Sequence, residues 1–385
     1  MITLSSIEFA LPTRIVFGTE VADRIGETAR EYTDKVFLIT DDGTMAGLGF
    51  QDKVTSLLEK SGIEYILYDK ISRDPKNEVI DELGELVRQS RVKLVIGLGS
   101  ASVINASKAA CYLAKNPGKI SEYLNGGIGG NSSVPLILIP TIPGVTQQLN
   151  NEFILKDNDN VKKNYLNPGL FPQVCLIDPK VTLSLPINYT VSSGFAILSN
   201  AIESFISAAS NAISDSLSIK AIEIVGKNMK RLFLNKEDLT ARSNIMMASV
   251  LTGLSLLTSK LGTCEAISMA LSSREPIYKN IVHAIMLPYV MEFNLTAMPN
   301  KYVQIAKALG EDISSITVVE AAIKAIEGVR KLLFDLKVPQ KLGDYKINKE
   351  NLPIVSSIAR RYSFINYAPL PLSKEDILNI LMTAY

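Results

Sequence analysis

Apolar and polar residues follow two different patterns along the chain, and the change falls near residue 185. Before it, short apolar runs are separated by amphipathic segments, a pattern typical of parallel strands joined by crossover helices. The apolar runs predict strands at residues 35–40, 64–68, 93–97, 134–140 and 174–178, and the amphipathic segments predict helices at 21–31, 50–61, 77–89 and 103–114. The first part is therefore expected to be an α/β domain with a nucleotide-binding layout.

After Pro186 the strand pattern disappears and helical spacing takes over. Residues 243–261 are apolar enough to predict a buried helix. A second helix is predicted from apolar residues that are three or four positions apart and share one helical face, namely Val318, Ala322, Ile326, Val329 and Leu333. The sequence Leu-Ser-Leu-Pro that ends at Pro186 breaks both patterns. We therefore expect an α/β domain at 1–185 and an all-α domain at 186–385.

Composition excludes several kinds of partner. A chain of 385 residues favours two hydrophobic cores, and 40 basic against 39 acidic residues give no field that attracts nucleic acid or an anionic membrane. Three widely spaced cysteines fit buried thiols in a reducing compartment better than a disulfide framework. With no export signal or membrane-length apolar run, we expect a cytoplasmic protein with small-molecule partners.

A glycine turn follows the third predicted strand and opens a helix. It reads Gly97, Leu98, Gly99, Ser100, Ala101 and Ser102. Small residues here let the backbone approach a pyrophosphate, whose charge then lies at the helix N-terminus. The alternative is that the glycines only satisfy the conformation of a strand-to-helix turn.

Two acidic residues, Asp41 and Asp42, end the first predicted strand. A carboxylate here can accept hydrogen bonds from a ribose 2′-hydroxyl and repels a 2′-phosphate, which favours NAD over NADP. The alternative is an ordinary turn with a helix cap.

Motifs in the right order resemble the iron-containing alcohol dehydrogenase family across nearly the whole chain. In the first half, residues 97–108 resemble the family motif GxGGGSxxDxAK, residues 139–141 resemble the start of PTTAGTGSE, and residues 178–186 resemble the family's DP and TLSLP motifs. In the second half, residues 194–203 resemble GMDALTHAIE, residues 286–294 resemble LLPHVMEFN, and residues 371–376 resemble PLTKED. The resemblance implies the dehydroquinate synthase-like fold, an N-terminal dinucleotide-binding domain plus a helical domain, with cofactor and metal in the cleft between them. It also implies an NAD(P)-linked oxidoreductase for a small alcohol or carbonyl compound, and a homodimer or larger homo-oligomer.

The resemblance assigns cofactor contacts residue by residue. They are Asp41, Gly97, Gly99, Ser100, Ala101, Ser102, Thr141, Lys162 and Leu183. Ser100 and Ala101 replace family glycines, so a positive φ at either would be strained, and Asn105 replaces a family aspartate. Lys162 lies in the charged run 156–163, which is usually a solvated loop.

The family's metal ligands are an aspartate and three histidines, and their positions here hold Ala196, Asn200, Glu265 and Lys279. Catalytic transition metals generally need about three protein ligands, so no family-type metal is expected. We hypothesise that the Lys279 ammonium, held by Glu265, replaces the ion and stabilises the developing alkoxide. The alternative is that this pair only compensates charge in an abandoned site.

The single histidine, His283, falls on a family asparagine position and is a minor candidate for proton transfer. A hydrogen-bonded structural residue is the other reading. For the whole chain we weigh a metal-independent, NAD-linked oxidoreductase against a catalytically silent paralogue that binds a nucleotide or serves as a structural subunit. The third alternative is a different reaction on the same scaffold, such as the phosphate-eliminating ring closure of the related dehydroquinate synthases, although those enzymes also need the metal.

Overall fold

The computed structural model describes residues 6–385. Contacts within them form two compact units, Leu11–Leu185, and Pro186–Tyr385 together with residues 6–10. The first unit combines strands and helices, and the second is built from helices. No helix among residues 6–385 is long and apolar enough to cross a membrane.

The α/β unit contains a parallel sheet with the order β1-β8-β5-β4-β2-β3, and a separate pair of strands, β6 and β7. The strands are β1 Arg14–Phe17, β2 Lys35–Asp41, β3 Glu64–Ile71, β4 Val95–Gly99, β5 Leu136–Pro140, β6 Glu152–Lys156, β7 Lys162–Leu166 and β8 Val174–Ile177. Central strands such as β4 are buried along their whole length, which explains why they read as continuous apolar runs. The predicted parallel-sheet domain is confirmed.

The order in which the chain adds strands to the sheet reverses between β2 and β4, although the two strands are parallel. The chain runs from β2 outward to β3 and then returns to place β4 on the other side of β2. Open α/β sheets bind their ligands beyond the carboxyl ends of the strands at such a reversal. Asp41 ends β2 and Gly99 ends β4, so two predicted cofactor contacts lie at this point.

The described part of the α/β unit has six α-helices. Four follow the predicted amphipathic segments with ends shifted by a few residues, whereas the two short helices that begin at Thr44 and Ile120 were not predicted. The six are α1 Ile25–Arg30, α2 Thr44–Gly47, α3 Phe50–Lys60, α4 Asn77–Ser90, α5 Ala101–Leu113 and α6 Ile120–Leu124. The hairpin of β6 and β7 was not predicted. These strands are antiparallel, and Glu152 pairs with Leu166 while Lys156 pairs with Lys162.

The second unit confirms the predicted all-α domain. Its helices are α7 Ile187–Ile206, α8 Ala212–Leu234, α9 Leu239–Ser255, α10 Thr263–Arg274, α11 Lys279–Asn294, α12 Pro299–Leu309, α13 Val318–Asp335, α14 Leu352–Ala359 and α15 Lys374–Ala384. α9 ends before the predicted residue 261. Near this end the Thr252 and Ser255 hydroxyls donate hydrogen bonds to preceding main-chain carbonyls. These bonds compete with the main-chain hydrogen bonds that would extend the helix. α7 packs against both α10 and α11.

Candidate functional site

The glycine turn between β4 and α5 requires residues without a side chain at two points. A Cβ atom on Gly97 would lie 2.7 Å from the Ser107 Oγ and 2.9 Å from the Leu138 Cδ2. A Cβ on Gly99 would lie 2.6 Å from the Val103 Cγ2, and its φ is +156°. Both glycines are therefore needed for the close packing of α5 on the sheet.

Ser100 and Ala101 replace family glycines without strain. Ser100 precedes α5 with φ −79° and ψ −174°, and Ala101 is the first helical residue. Neither position has a positive φ. The first helical hydrogen bond runs from the Ile104 N–H to the Ser100 carbonyl, so the earlier N–H groups of the turn have no acceptor within the helix. This end of α5 has the chemistry of a phosphate site.

Asp41 is at the end of β2, where its carboxylate also caps a helix. Its Oδ1 accepts a hydrogen bond from the Met45 N–H at 2.9 Å, as the alternative interpretation of this turn expected. Burial raises the pKa of Asp41, while backbone donors including Met45 and Thr44 lower it. Capping through one oxygen is compatible with a ribose contact through the other.

Two more predicted cofactor residues lie at the carboxyl ends of β5 and β8. The Thr141 N–H donates to the Gly99 carbonyl at 3.1 Å, which joins the carboxyl end of β5 to that of β4. Its buried Oγ1 has no hydrogen-bond partner among residues 6–385. Leu183 follows β8 at the end of a short turn that Asp178 caps, and it is half-buried.

Lys162 does not lie in a solvated loop, so that expectation is wrong. It is the first residue of β7 and is 9% exposed. Its Nζ lies 3.4 Å from the Asp74 Oδ1, and Asp74 also pairs with Lys156. The Asp74 N–H donates to the Ser102 Oγ at 3.3 Å, which connects this ion pair to the start of α5.

Helix α5 also holds the unpredicted hairpin. The Asn105 Oδ1 accepts the Ile154 N–H at 3.0 Å, so the residue that replaces the family aspartate has a clear structural contact. The buried Lys108 Nζ donates to the Asn150 carbonyl at 2.6 Å and the Glu152 carbonyl at 3.0 Å. Burial lowers the pKa of Lys108 to about 7.

In the helical unit, Lys279 and Glu265 form an ion pair. The Lys279 Nζ lies 2.8 Å from the Glu265 Oε1. Lys279 begins α11, and its side chain is 24% exposed, whereas that of Glu265 is 3% exposed. Burial alone would raise the pKa of Glu265, but Lys279 and a hydrogen bond from His283 outweigh it and hold the pKa well below its usual range. Glu265 is therefore a permanent carboxylate at neutral pH.

The third predicted catalytic residue, His283, contacts the same carboxylate. Its Nε2 lies 2.8 Å from the Glu265 Oε2, and its Nδ1 lies 2.9 Å from the Ser199 Oγ. The side chain is fully buried. Burial lowers the pKa of His283, although Glu265 opposes this shift.

Sequence reasoning gave no role to Glu203, which supports the same cluster. Its two oxygens accept the N–H groups of Cys264 at 2.6 Å and Glu265 at 3.0 Å. Burial raises the pKa of Glu203 to about 7, although these amides oppose the shift. Its place at the end of the motif that resembles GMDALTHAIE was the one available signal.

The four family ligand positions do not fit a catalytic transition metal. Ala196 offers no donor, and the Glu265 oxygens are engaged by Lys279 and His283. Asn200 is buried, and its Oδ1 has no partner in the part of the chain that is described. One carboxylate, one amide and one ammonium are not the three-ligand set that such ions take. Within residues 6–385 no other group of three His, Cys, Asp or Glu side chains could hold a metal ion.

Both halves of the chain match family models. A model described as iron-containing alcohol dehydrogenase matches residues 12–179. A model for the C-terminal part of the Fe-containing alcohol dehydrogenase family matches residues 190–385. Together they cover most of the chain.

Individual proteins are similar over the full length. The sulfoacetaldehyde reductase of Bilophila wadsworthia is 30% identical over 373 residues, which cover 96% of this chain and 96% of that protein. The structure of an alcohol dehydrogenase from Oenococcus oeni has 25% identity and a TM-score of 0.94, covering 99% of this chain and 100% of that one. A sulfoacetaldehyde reductase from Bifidobacterium kashiwanohense, in complex with NAD+, has 22% identity and a TM-score of 0.87, with 99% of each chain covered.

Proposed function

Because the chain belongs to the iron-containing alcohol dehydrogenase family, we propose that it is an NAD-linked oxidoreductase that interconverts a small alcohol and its carbonyl compound. The Lys279–Glu265 pair takes the part that the metal has in the family. The observation that carries this proposal is the 2.8 Å contact between the Lys279 Nζ and the Glu265 Oε1, formed by residues at two family ligand positions.

The chemistry of the α/β unit supports a dinucleotide. The reversal of strand order brings the glycine turn and the acidic end of β2 to one edge of the sheet. Open N–H groups at the start of α5 suit a pyrophosphate, and the Asp41 carboxylate suits a ribose with a free 2′-hydroxyl. When bound, the nicotinamide supplies or accepts a hydride at the substrate carbon.

Similar proteins support the same class of reaction. The relatives include a sulfoacetaldehyde reductase and an alcohol dehydrogenase, and a structural neighbour was solved with NAD+. Aldehyde reduction and alcohol oxidation are one reaction in opposite directions. The substrate class proposed here is therefore a small aldehyde or the corresponding alcohol.

The ion pair supplies what this reaction needs at the substrate oxygen. During reduction the Lys279 ammonium hydrogen-bonds the carbonyl oxygen and then gives its proton to the alkoxide that hydride addition creates. During oxidation the neutral amine accepts the hydroxyl proton. While Lys279 is an ammonium, its charge and the hydrogen bond from His283 outweigh burial and hold the Glu265 pKa well below neutral, so the carboxylate is ionised and keeps the amine oriented.

A binding experiment tests the cofactor and the metal together. Purified protein is titrated with NADH and with NADPH by fluorescence, and the metal content of the same sample is measured. Tighter binding of NADH with less than stoichiometric metal is expected. Absence of binding to either nucleotide contradicts the oxidoreductase, and stoichiometric zinc or iron contradicts the role of the ion pair.

Turnover of a Lys279→Met variant tests the electrophile. Loss of transition-state stabilisation by one charged donor predicts a fall in kcat of about 100- to 1,000-fold. The matched control is Lys227→Met, which removes another ion-paired lysine from an exposed helix surface. Unchanged kcat in Lys279→Met with a substrate that the wild type turns over rules out the catalytic role. A wild type that binds NADH and turns over no aldehyde or alcohol identifies a silent paralogue instead.

A further inference from the structure

The single histidine of the chain has side-chain partners on both ring nitrogens. The Nδ1 atom lies 2.9 Å from the Ser199 Oγ on α7. The Nε2 atom lies 2.8 Å from the Glu265 Oε2 and 3.0 Å from the Ser268 Oγ, both on α10. His283 itself is on α11, so one imidazole joins three helices.

These partners decide which nitrogen of His283 carries the proton. The Ser268 hydroxyl donates to the Glu265 main-chain carbonyl at 2.9 Å, which leaves its oxygen as an acceptor towards Nε2. The Glu265 carboxylate can only accept. Both neighbours of Nε2 are therefore acceptors, and the proton belongs on Nε2. Burial lowers the pKa of His283, so the ring carries one proton at neutral pH, and the Ser199 hydroxyl donates to the unprotonated Nδ1.

We propose that His283 is a positioning residue. In its neutral form, with the proton on Nε2, it holds the Glu265 carboxylate in contact with Lys279. The two Glu265 oxygens have different partners: Oε1 accepts a hydrogen bond from Lys279, and Oε2 accepts one from His283. A hydrogen bond to one oxygen restrains the carboxylate against rotation away from the partner of its other oxygen. This inference rests on the proposed function, because it gives His283 a role in the reaction only if Lys279 acts there.

The same geometry argues against proton shuttling by His283. The ring is 0% exposed, and every partner named above is a protein side chain. Lys279 is the member of the cluster that retains exposure, at 24% of its side chain. A substrate can therefore meet the lysine, whereas the histidine acts through Glu265.

Nitrogen NMR tests the tautomer without any activity assay. Because the chain has one histidine, protein labelled with 15N-histidine gives a single imidazole spectrum. The expected spectrum has a protonated Nε2, an unprotonated Nδ1 and a downfield Nε2 proton that moves upfield in Glu265→Gln. The control, Glu223→Gln at a half-exposed position of α8 where the carboxylate pairs with Lys220 and Lys227, should leave the spectrum unchanged. A protonated Nδ1, or a Nε2 proton that ignores Glu265→Gln, overturns the proposal.

Kinetics test whether the position matters for the reaction. The His283→Leu variant cannot donate a hydrogen bond to Glu265. Its kcat should therefore fall by about 10- to 100-fold, with the KM for the cofactor unchanged. His283→Gln can still donate to Glu265 and should retain kcat within about threefold. Lower thermal stability with unchanged kcat in His283→Leu would leave a purely structural role and overturn the proposal. If His283→Leu does not fold, Ser199→Ala removes only the donor at Nδ1. The proton should stay on Nε2, because Glu265 and Ser268 still accept there, while the Nδ1 resonance shifts through loss of its hydrogen bond. A protonated Nδ1 in this variant overturns the assignment.

A third readout separates this inference from the proposed function. Competitive acetylation of Lys279, read by mass spectrometry against exposed Lys227, needs no substrate. It should rise in His283→Leu and not in His283→Gln, because a carboxylate that turns away leaves the amine free to react. If the wild type has no turnover but this difference appears, the oxidoreductase fails and the positioning role stands. Equal acetylation in both variants, with turnover intact, refutes the positioning role alone.

Discussion

The Glu203 carboxylate accepts the backbone N–H of Glu265 at 3.0 Å, so one buried acid holds the main chain from which the other projects. Its other oxygen accepts the Cys264 N–H at 2.6 Å. Both amides belong to the first turn of α10, where intrahelical acceptors are missing. The N-cap residue, Gly262, has no side chain to accept these amides, so a residue of α7 caps the start of the helix that carries Glu265.

Loss of this cap should destabilise the helical unit. Glu203→Ala leaves two buried amides without acceptors, and we expect the free energy of unfolding to fall by about 2 kcal/mol. Urea unfolding followed by circular dichroism measures the change. Glu203→Gln keeps one acceptor oxygen and should lose less. Equal stability of Glu203→Ala and the wild type would mean that these hydrogen bonds contribute nothing.

Restoring the family ligands should restore a metal site. The four changes are Ala196→Asp, Asn200→His, Glu265→His and Lys279→His, which supply one carboxylate and three imidazoles. We expect about one zinc or iron(II) per chain after dialysis, measured by elemental analysis. A variant that keeps Lys279 and carries the other three changes is the control. Its ammonium should repel the cation, so equal metal content in both variants contradicts the prediction.

Removing the charge of Asp41 should weaken discrimination against NADPH. Asp41→Asn retains an oxygen that can accept the Met45 N–H, so the start of α2 keeps its cap. The ratio of NADPH to NADH dissociation constants should fall by about tenfold, as expected from loss of one repulsive contact near the protein surface. Fluorescence titration measures both constants. Asp42→Asn, at the exposed neighbouring residue, should leave the ratio unchanged, and an unchanged ratio in Asp41→Asn shows that Asp41 is only a cap.

Five strands of the parallel sheet and the helices α1, α3, α4 and α5 could be predicted because their signals are local. Buried strands such as β4 are continuous apolar runs, and surface helices such as α4 have one apolar face. The hairpin of β6 and β7 gives a weaker signal. Its buried residues, Phe153 and Leu155, alternate with half-exposed ones, and charged residues at 156–163 resemble a loop. Its position depends instead on Asn105 and Lys108, which are distant in sequence.

The residues of the candidate site could be predicted only where they occupy positions that the family motifs identify. Lys279 and Glu265 were paired in the hypothesis because both replace ligands, and the structure brings them together. Glu203 lies 62 residues from Glu265, and Ser199 lies 84 residues from His283. Hydrogen bonds across that distance leave no periodic pattern in the sequence. They become visible only once the helices are packed.

Lys108 should make stability rise with pH. Its pKa is lowered by burial from 10.5 to about 7, so between these values the unfolded chain binds the proton that the folded chain has released. The free energy of unfolding therefore increases as the pH rises through this window. Lys108→Met should remove that increase and should also destabilise the hairpin at neutral pH, because the Asn150 and Glu152 carbonyls lose their donor. Urea unfolding of both proteins across the window measures the difference, with the exposed Lys227→Met as control. Parallel pH profiles for the wild type and Lys108→Met would show that the buried amine stays charged when the chain folds.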